Sequence, residues 1–133
     1  MAYQGYLIKI GSTEIPLKYF CIDSYKVSYH TQDIDSYRDA TGVLHRNVLP
    51  HRVMKAEFTT PTMYASDVAA FMSILNSNYS GSPIKTATVT FYNPENNDYV
   101  AMTSYIPDIE FSIRENSPRG FIYNPVRVAF IGY

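Results

Sequence analysis

Apolar and polar residues alternate along most of the chain, and the alternation has the period of a β-strand. "YLIKI" (6–10) is a short apolar run ended by Gly11-Ser12, and "EIPL" (14–17) follows it, which predicts an N-terminal hairpin with Pro16 at an edge or bulge. "YKVSYH" (25–30) places Tyr25, Val27 and Tyr29 on one face and Lys26, Ser28 and His30 on the other. In "RVMKAEFTT" (52–60), Met54, Ala56 and Phe58 form the apolar side against Val53, Lys55, Glu57 and Thr59. After Pro61 the period changes. Val68, Phe71, Met72 and Leu75 stand at i, i+3, i+4 and i+7, which predicts a helix over about 65–77. Ser66 or Thr62 is its expected cap, Asp67 suits the positive end of its dipole, and Asn76 to Gly81 is expected to end it.

Sheet periodicity then returns. "KTATVTFY" (85–92) and "DYVAMTSYI" (98–106) are joined by the turn-rich "NPENN". "IEFSIRE" (109–115) predicts a strand with Ile109, Phe111 and Ile113 inward and Glu110, Ser112 and Arg114 outward. "NSPRG" (116–120) turns the chain, and "FIYNPVRVAFIGY" is expected to form one last strand with Pro125 as a bulge. The predicted fold is mainly β: an antiparallel sandwich or barrel with a single packed α-helix at about 65–77. Between two early strands lies a long polar loop, at about residues 31–50. No repeat, low-complexity segment or linker interrupts residues 1–133, which read as one domain large enough to bury roughly two-thirds of the unfolded chain's surface.

Charge and composition narrow the function. Eleven Lys and Arg against twelve Asp and Glu leave a net charge of −1, so there is no overall basic field to hold nucleic acid, and no sequence-specific nucleic-acid binding is expected. No apolar run approaches the ~20 residues that span a bilayer, and the first residues lack a secretory pattern, so synthesis in the cytoplasm is expected. The single cysteine, Cys21, sits among Tyr19, Phe20 and Ile22 and is expected to be buried as a small hydrophobe. Thirteen tyrosines fit either a two-faced sheet or one whose outer face is covered by other subunits.

Candidate chemistry is thin. His30, His45 and His51 match no zinc spacing, no nucleophile motif or phosphate cradle is present, and Asp33, Asp35 and Asp39 lack the glycine and glutamate of a calcium loop. Neither metal nor cofactor is expected. Asn93, Asn96, Asn97 and Asp98 at a hairpin tip, with exposed tyrosines, would suit a carbohydrate- or host-surface-binding β module, and the same residues are what tight turns use.

The stretch "SYRDATGVLHRN" (36–47) is the most distinctive. Its acids and bases, with Asp33, Asp35 and Arg52, would let identical copies pair an acidic limb with a neighbour's basic limb, and Gly42 permits a positive φ at the tip. Val43, Leu44, Val48 and Leu49 are apolar anchors that either dock on a partner or fold back to finish the chain's own core. The candidate assembly loop therefore comprises Tyr37, Arg38, Asp39, Gly42, Val43, Leu44, His45 and Arg46.

A β-sandwich with one helix midway and a long polar loop between early strands resembles the tail-tube fold of tube proteins, distal tail proteins and related parts of tailed bacteriophages. "SYRDATGVLHRNVLPHRVMKAEFTTP" (36–61) and "TFYNPENNDYVAMTSYIPDIEFSI" are similar to small tail proteins of long-tailed, siphovirus-like phages and prophages of Gram-positive bacteria. Arg38, Asp39, Ala40, Gly42, Leu44 and Arg46 fill their pattern R-D-A-x-G-x-L-x-R. The resemblance implies a non-enzymatic structural subunit in a virion tail, as a tube-like, distal-tail or baseplate component. Its implied partners are copies of itself in a ring and other tail proteins.

Overall fold

The computed structural model describes residues 3–79 and 84–133. In chain order its strands are β1 (Ile8–Ile10), β2 (Thr13–Glu14), β3 (Lys26–His30), β4 (Tyr37–Arg38), β5 (Leu44–His45), β6 (Val53–Thr59), β7 (Met63–Tyr64), β8 (Thr86–Asn93), β9 (Asp98–Tyr105), β10 (Ile113–Ser117), β11 (Gly120–Tyr123) and β12 (Arg127–Gly132). A helix, α1 (Ala65–Asn78), lies between β7 and β8. The main sheet has seven strands in the order β2-β1-β8-β9-β12-β6-β3, all antiparallel where paired. A second sheet has the order β10-β11-β7, and β4 pairs only with β5.

The seven-stranded sheet curls. Tyr25, just before β3, donates its hydroxyl to the Tyr92 carbonyl in β8 at 2.9 Å, and Tyr29 of β3 meets the Phe91 ring edge-on, although three strands separate β3 from β8 in the sheet. The concave side is the core. Met54, Ala56 and Phe58 of β6, Val89 and Phe91 of β8, and Val128 and Phe130 of β12 point into it and are buried. Helix α1 closes the open side against β7 and β11, with Phe71 and Leu75 buried, and Val68 and Met72 packed at the margin. Phe58 is the hub: its ring stacks on Phe20 at 4.0 Å and lies 6.2 Å from Phe71 and 6.5 Å from Phe130. Among the described residues no helix is long and apolar enough to cross a membrane.

The structure departs from the sequence reading at several elements. The N-terminal hairpin forms, but its second strand stops at Glu14, because Pro16 opens a 3₁₀ turn at Leu17–Tyr19. Tyr64, not Ser66 or Thr62, caps α1, and no side chain closes its first turn. Its end falls at Asn78, where the Tyr79 N–H donates to the Leu75 carbonyl at 3.2 Å; Gly81, expected in that stop, lies outside the described residues. Cys21 is half-buried, its N–H bonded to the Thr59 carbonyl. The strand expected over 109–115 starts only at Ile113, and Phe111 and Ile113 are exposed instead of inward, since α1 packs on β7 and β11 and leaves the edge strand β10 at its margin. The expected last strand is two strands, β11 and β12, serving different sheets. Pro125 sits in the break, and the bulge lies in β10 between Ile113 and Glu115.

Candidate assembly surface

The long loop is an arm with a structure of its own. Beyond β3 the chain pairs with itself: Leu49 N–H bonds the Gln32 carbonyl, Ile34 N–H bonds the Asn47 carbonyl, Asp33 bridges to Val48, and β4 meets β5 with Tyr37 opposite His45 and Arg38 opposite Leu44. Asp39 builds the tip. Its Oδ1 accepts from the Thr41 N–H at 2.9 Å, the Thr41 hydroxyl at 2.7 Å and the Val43 N–H at 3.1 Å, an Asx-type turn that replaces ladder bonds with side-chain bonds. Gly42 takes φ +86°, where a side chain would be strained, and Arg38 Nη1 donates to its carbonyl at 2.9 Å.

Two charge pairs form inside the arm. Arg46 grips Asp33 through two bonds of 2.9 and 2.8 Å, and His45 Nε2 shares a 2.8 Å hydrogen bond with Asp39 Oδ2 while its ring stacks on Tyr37. The bidentate Arg46 guanidinium holds the Asp33 carboxyl below its ordinary range. Asp39 is lowered to about 2, first by the Thr41 hydroxyl and then by His45 and the Val43 N–H. The expected exchange of acidic and basic limbs between copies therefore does not use Asp33 with Arg46 or Asp39 with His45. Folding the hairpin brings residues thirteen apart in sequence within reach of each other before any partner arrives.

Apart from the Asp35 carboxyl, what remains unpartnered is apolar. Among the described residues the hydrogen bonds of 33–49 stay within 32–49, while Ile34, Tyr37, Val43 (56% exposed), Leu44 (44% exposed), Val48 and Leu49 face solvent. The arm thus folds back as a hairpin, but its apolar residues do not finish the core. All eight residues of the candidate loop are brought together here, Gly42 and Val43 at the tip and the rest in and beside the two short strands. Sequence reading missed Ile34 as a member of this apolar set and Thr41 as the group that shapes the tip. The alternation of Ile34 with Asp33 and Asp35 carries that signal, but without knowledge of the pairing it does not say which side is free.

The base of the arm is tied to the body. Arg52 lies over the Tyr29 ring at 4.4 Å, donates to the Tyr29 carbonyl and bonds Glu95 of the β8–β9 tip, whose carboxyl it lowers. Gln32 donates to the His51 carbonyl at 3.2 Å. At that same tip the asparagines and tyrosines are engaged within the chain: Asn93 Oδ1 accepts the Glu95 N–H, the Tyr92 hydroxyl donates to Asn97, and the Tyr99 ring stacks on Tyr6 with its hydroxyl on the Tyr6 carbonyl.

The depressed Asp39 predicts a pH effect confined to the arm. A carboxylate whose folded pKa lies below the ordinary 3.8 stabilises the fold above that value, and the contribution is lost as the pH falls towards about 2. Acidification over this window should collapse the hydrogen-exchange protection of the Thr41 and Val43 amides before that of β6. Asp39→Asn should remove the window.

A family model described as "Family of unknown function (DUF6711)" matches residues 1–133. No curated protein matches the chain. Among solved structures it is similar to a chain of "Tail of empty GTA particle computed with helical refinement, C6 symmetry", with a TM-score of 0.54 and 15% identity. The likeness covers 99% of this chain and 95% of that one, and at this identity it is a likeness of fold.

Proposed function

We propose that the chain, which belongs to the DUF6711 family, is a non-enzymatic structural subunit of a phage-type tail. The observation that carries this reading is the fold shared with a chain of a particle tail across nearly the whole of both proteins. The arm supports it from physics alone. Most of its polar side chains are spent on holding its shape, and its apolar ones stand in water, a combination that gains free energy only when a partner covers them.

In finer terms, the subunit works as a tube-like, distal-tail or baseplate component of a long-tailed phage or prophage of Gram-positive bacteria. It is made in the host cytoplasm and assembles into a ring through the arm, with neighbouring tail proteins as its other partners. The six-fold symmetry of the similar tail supports a ring of like subunits. Electron microscopy and native mass measurement of the purified protein, alone and co-expressed with the tail proteins encoded beside it, provide the test. Rings, or a defined complex with those proteins, are expected. A protein that stays monomeric at high concentration and binds none of them would overturn the reading.

A further inference from the structure

Both faces of the arm carry exposed apolar residues, and the pairing across the hairpin says which residue belongs to which face. Arg38 lies opposite Leu44 and Asp33 opposite Val48. Leu44 and Val48 are four apart on one strand and share a face, with Arg46 between them. On the other strand Asp33 and Arg38 are five apart, so one extra residue is accommodated there, and Asp35, at φ +53°, is the irregular residue in that interval. Alternation then puts Val43, His45 and Leu49 on the second face, with Tyr37 across from His45 and Ile34 across from Asn47. The side-chain bonds agree with this division. Arg46 reaches Asp33 within the first face, and His45 reaches Asp39 and stacks on Tyr37 within the second.

The strands of the body are built differently. In β6, Met54, Ala56 and Phe58 are buried on one side, while Lys55 and Glu57 stand on the other, so one apolar face serves one contact. A hairpin that lay flat on a single surface would need no more than that. The arm has Leu44 and Val48 on one side and Ile34, Tyr37, Val43 and Leu49 on the other, all of them exposed. Each face also holds its own charge pair, so covering it strands neither the Asp33 nor the Asp39 carboxylate without a partner. Arg38 on the first face gives its guanidinium to the Gly42 carbonyl.

We infer that the arm is a two-sided blade that enters the joint between two further copies of this chain, one covering Leu44 and Val48 and the other covering Ile34, Tyr37, Val43 and Leu49. The inference rests on the assembly reading above, in which like subunits are neighbours. A copy has apolar surface to offer: Phe111, Ile113 and Phe121 are exposed on and beside the small sheet, and Tyr105 of β9 stands exposed against Tyr133. The two faces of the blade differ in side chains, so its two contacts are heterologous and fix the order in which copies follow one another.

Photo-crosslinking on the full chain tests it. The photoreactive residue p-benzoylphenylalanine is placed at Tyr37, at Leu44 or at both, and each probe chain is built into the parent's assemblies with parent in large excess, so that a covalent product contains one probe chain. Either probe alone is expected to give a dimer with a parent copy, and the double probe a covalent trimer. In parallel, Tyr37→Asp and Val48→Asp, one on each face, are each expected to weaken assembly roughly tenfold with level melting midpoints. If the parent assembles while one face gives no product, or the double probe stops at dimers, or a different tail protein takes the place of either copy, the two-sided grip by copies is overturned and the assembly reading stands. If the parent neither self-associates nor joins tail proteins, both fall.

Discussion

Phe58→Ala is expected to lower the thermal midpoint by roughly 10–20 °C, the consequence of losing about 3–5 kcal/mol at a fully buried aromatic position. Phe58 is 1% exposed and touches three parts of the core: Phe20 from the segment before β3, Phe71 from α1 and Phe130 from β12. Truncation leaves a cavity bordered by three other aromatic rings, which are large and rotationally restricted and collapse poorly into the space. Calorimetry or thermal circular dichroism checks it. A drop of only a few degrees would mean that α1 and the curled sheet hold together without the hub, through β7, β11 and the Tyr19–Phe71 contact.

Val43→Asp with Leu44→Asp is expected to weaken assembly by at least about a hundredfold, because two carboxylates would have to be desolvated where two aliphatic side chains were covered. The thermal midpoint should stay within about 2 °C of the parent, because exposed positions away from the core change stability little. Both residues are about half exposed in the free chain, and the fold loses no buried contact with them. Arg38→Glu is a milder probe of the same surface. It gives up one bond to the Gly42 carbonyl and reverses one exposed charge, so assembly should weaken without a change in midpoint. Native mass and melting curves, measured on the same samples, separate the outcomes. An equal loss of midpoint and assembly would make the arm a support of the body instead of a contact with a partner.

These two predictions differ in how far their residues can be read from the chain. The core role of Phe58 follows from alternation with Met54 and Ala56, which is local and survives any topology. The stripe of α1 is legible for the same reason. The identical alternation in "IEFSIRE" misleads, since a period of two separates two faces but does not say which face another layer will cover. Around Phe111 and Ile113, α1 covers β7 and β11 and leaves the edge strand largely open. The division of the last segment is likewise illegible locally. Asn124-Pro125 reads as a bulge, and only the bonds between Thr60 and Val126, 2.8 Å main chain to main chain and 3.0 Å through the Thr60 hydroxyl, show the chain leaving one sheet for another. In the arm, its polarity, the glycine tip and the apolar anchors are visible in sequence, while the pairing of Asp33 with Arg46 and of Asp39 with His45 appears only once the hairpin closes.

By itself, then, the sequence determined a mainly antiparallel β protein with its helix near residue 70 and a polar insertion after the third strand. Those properties follow from side-chain periodicity and turn chemistry, which act over a few residues. Tertiary structure alone decided that the sheet curls until β3 approaches β8, and that the arm pairs Asp33 with Arg46 and Asp39 with His45 within itself. Each depends on residues distant in sequence being brought to a few ångströms, and no local pattern records which of them will meet.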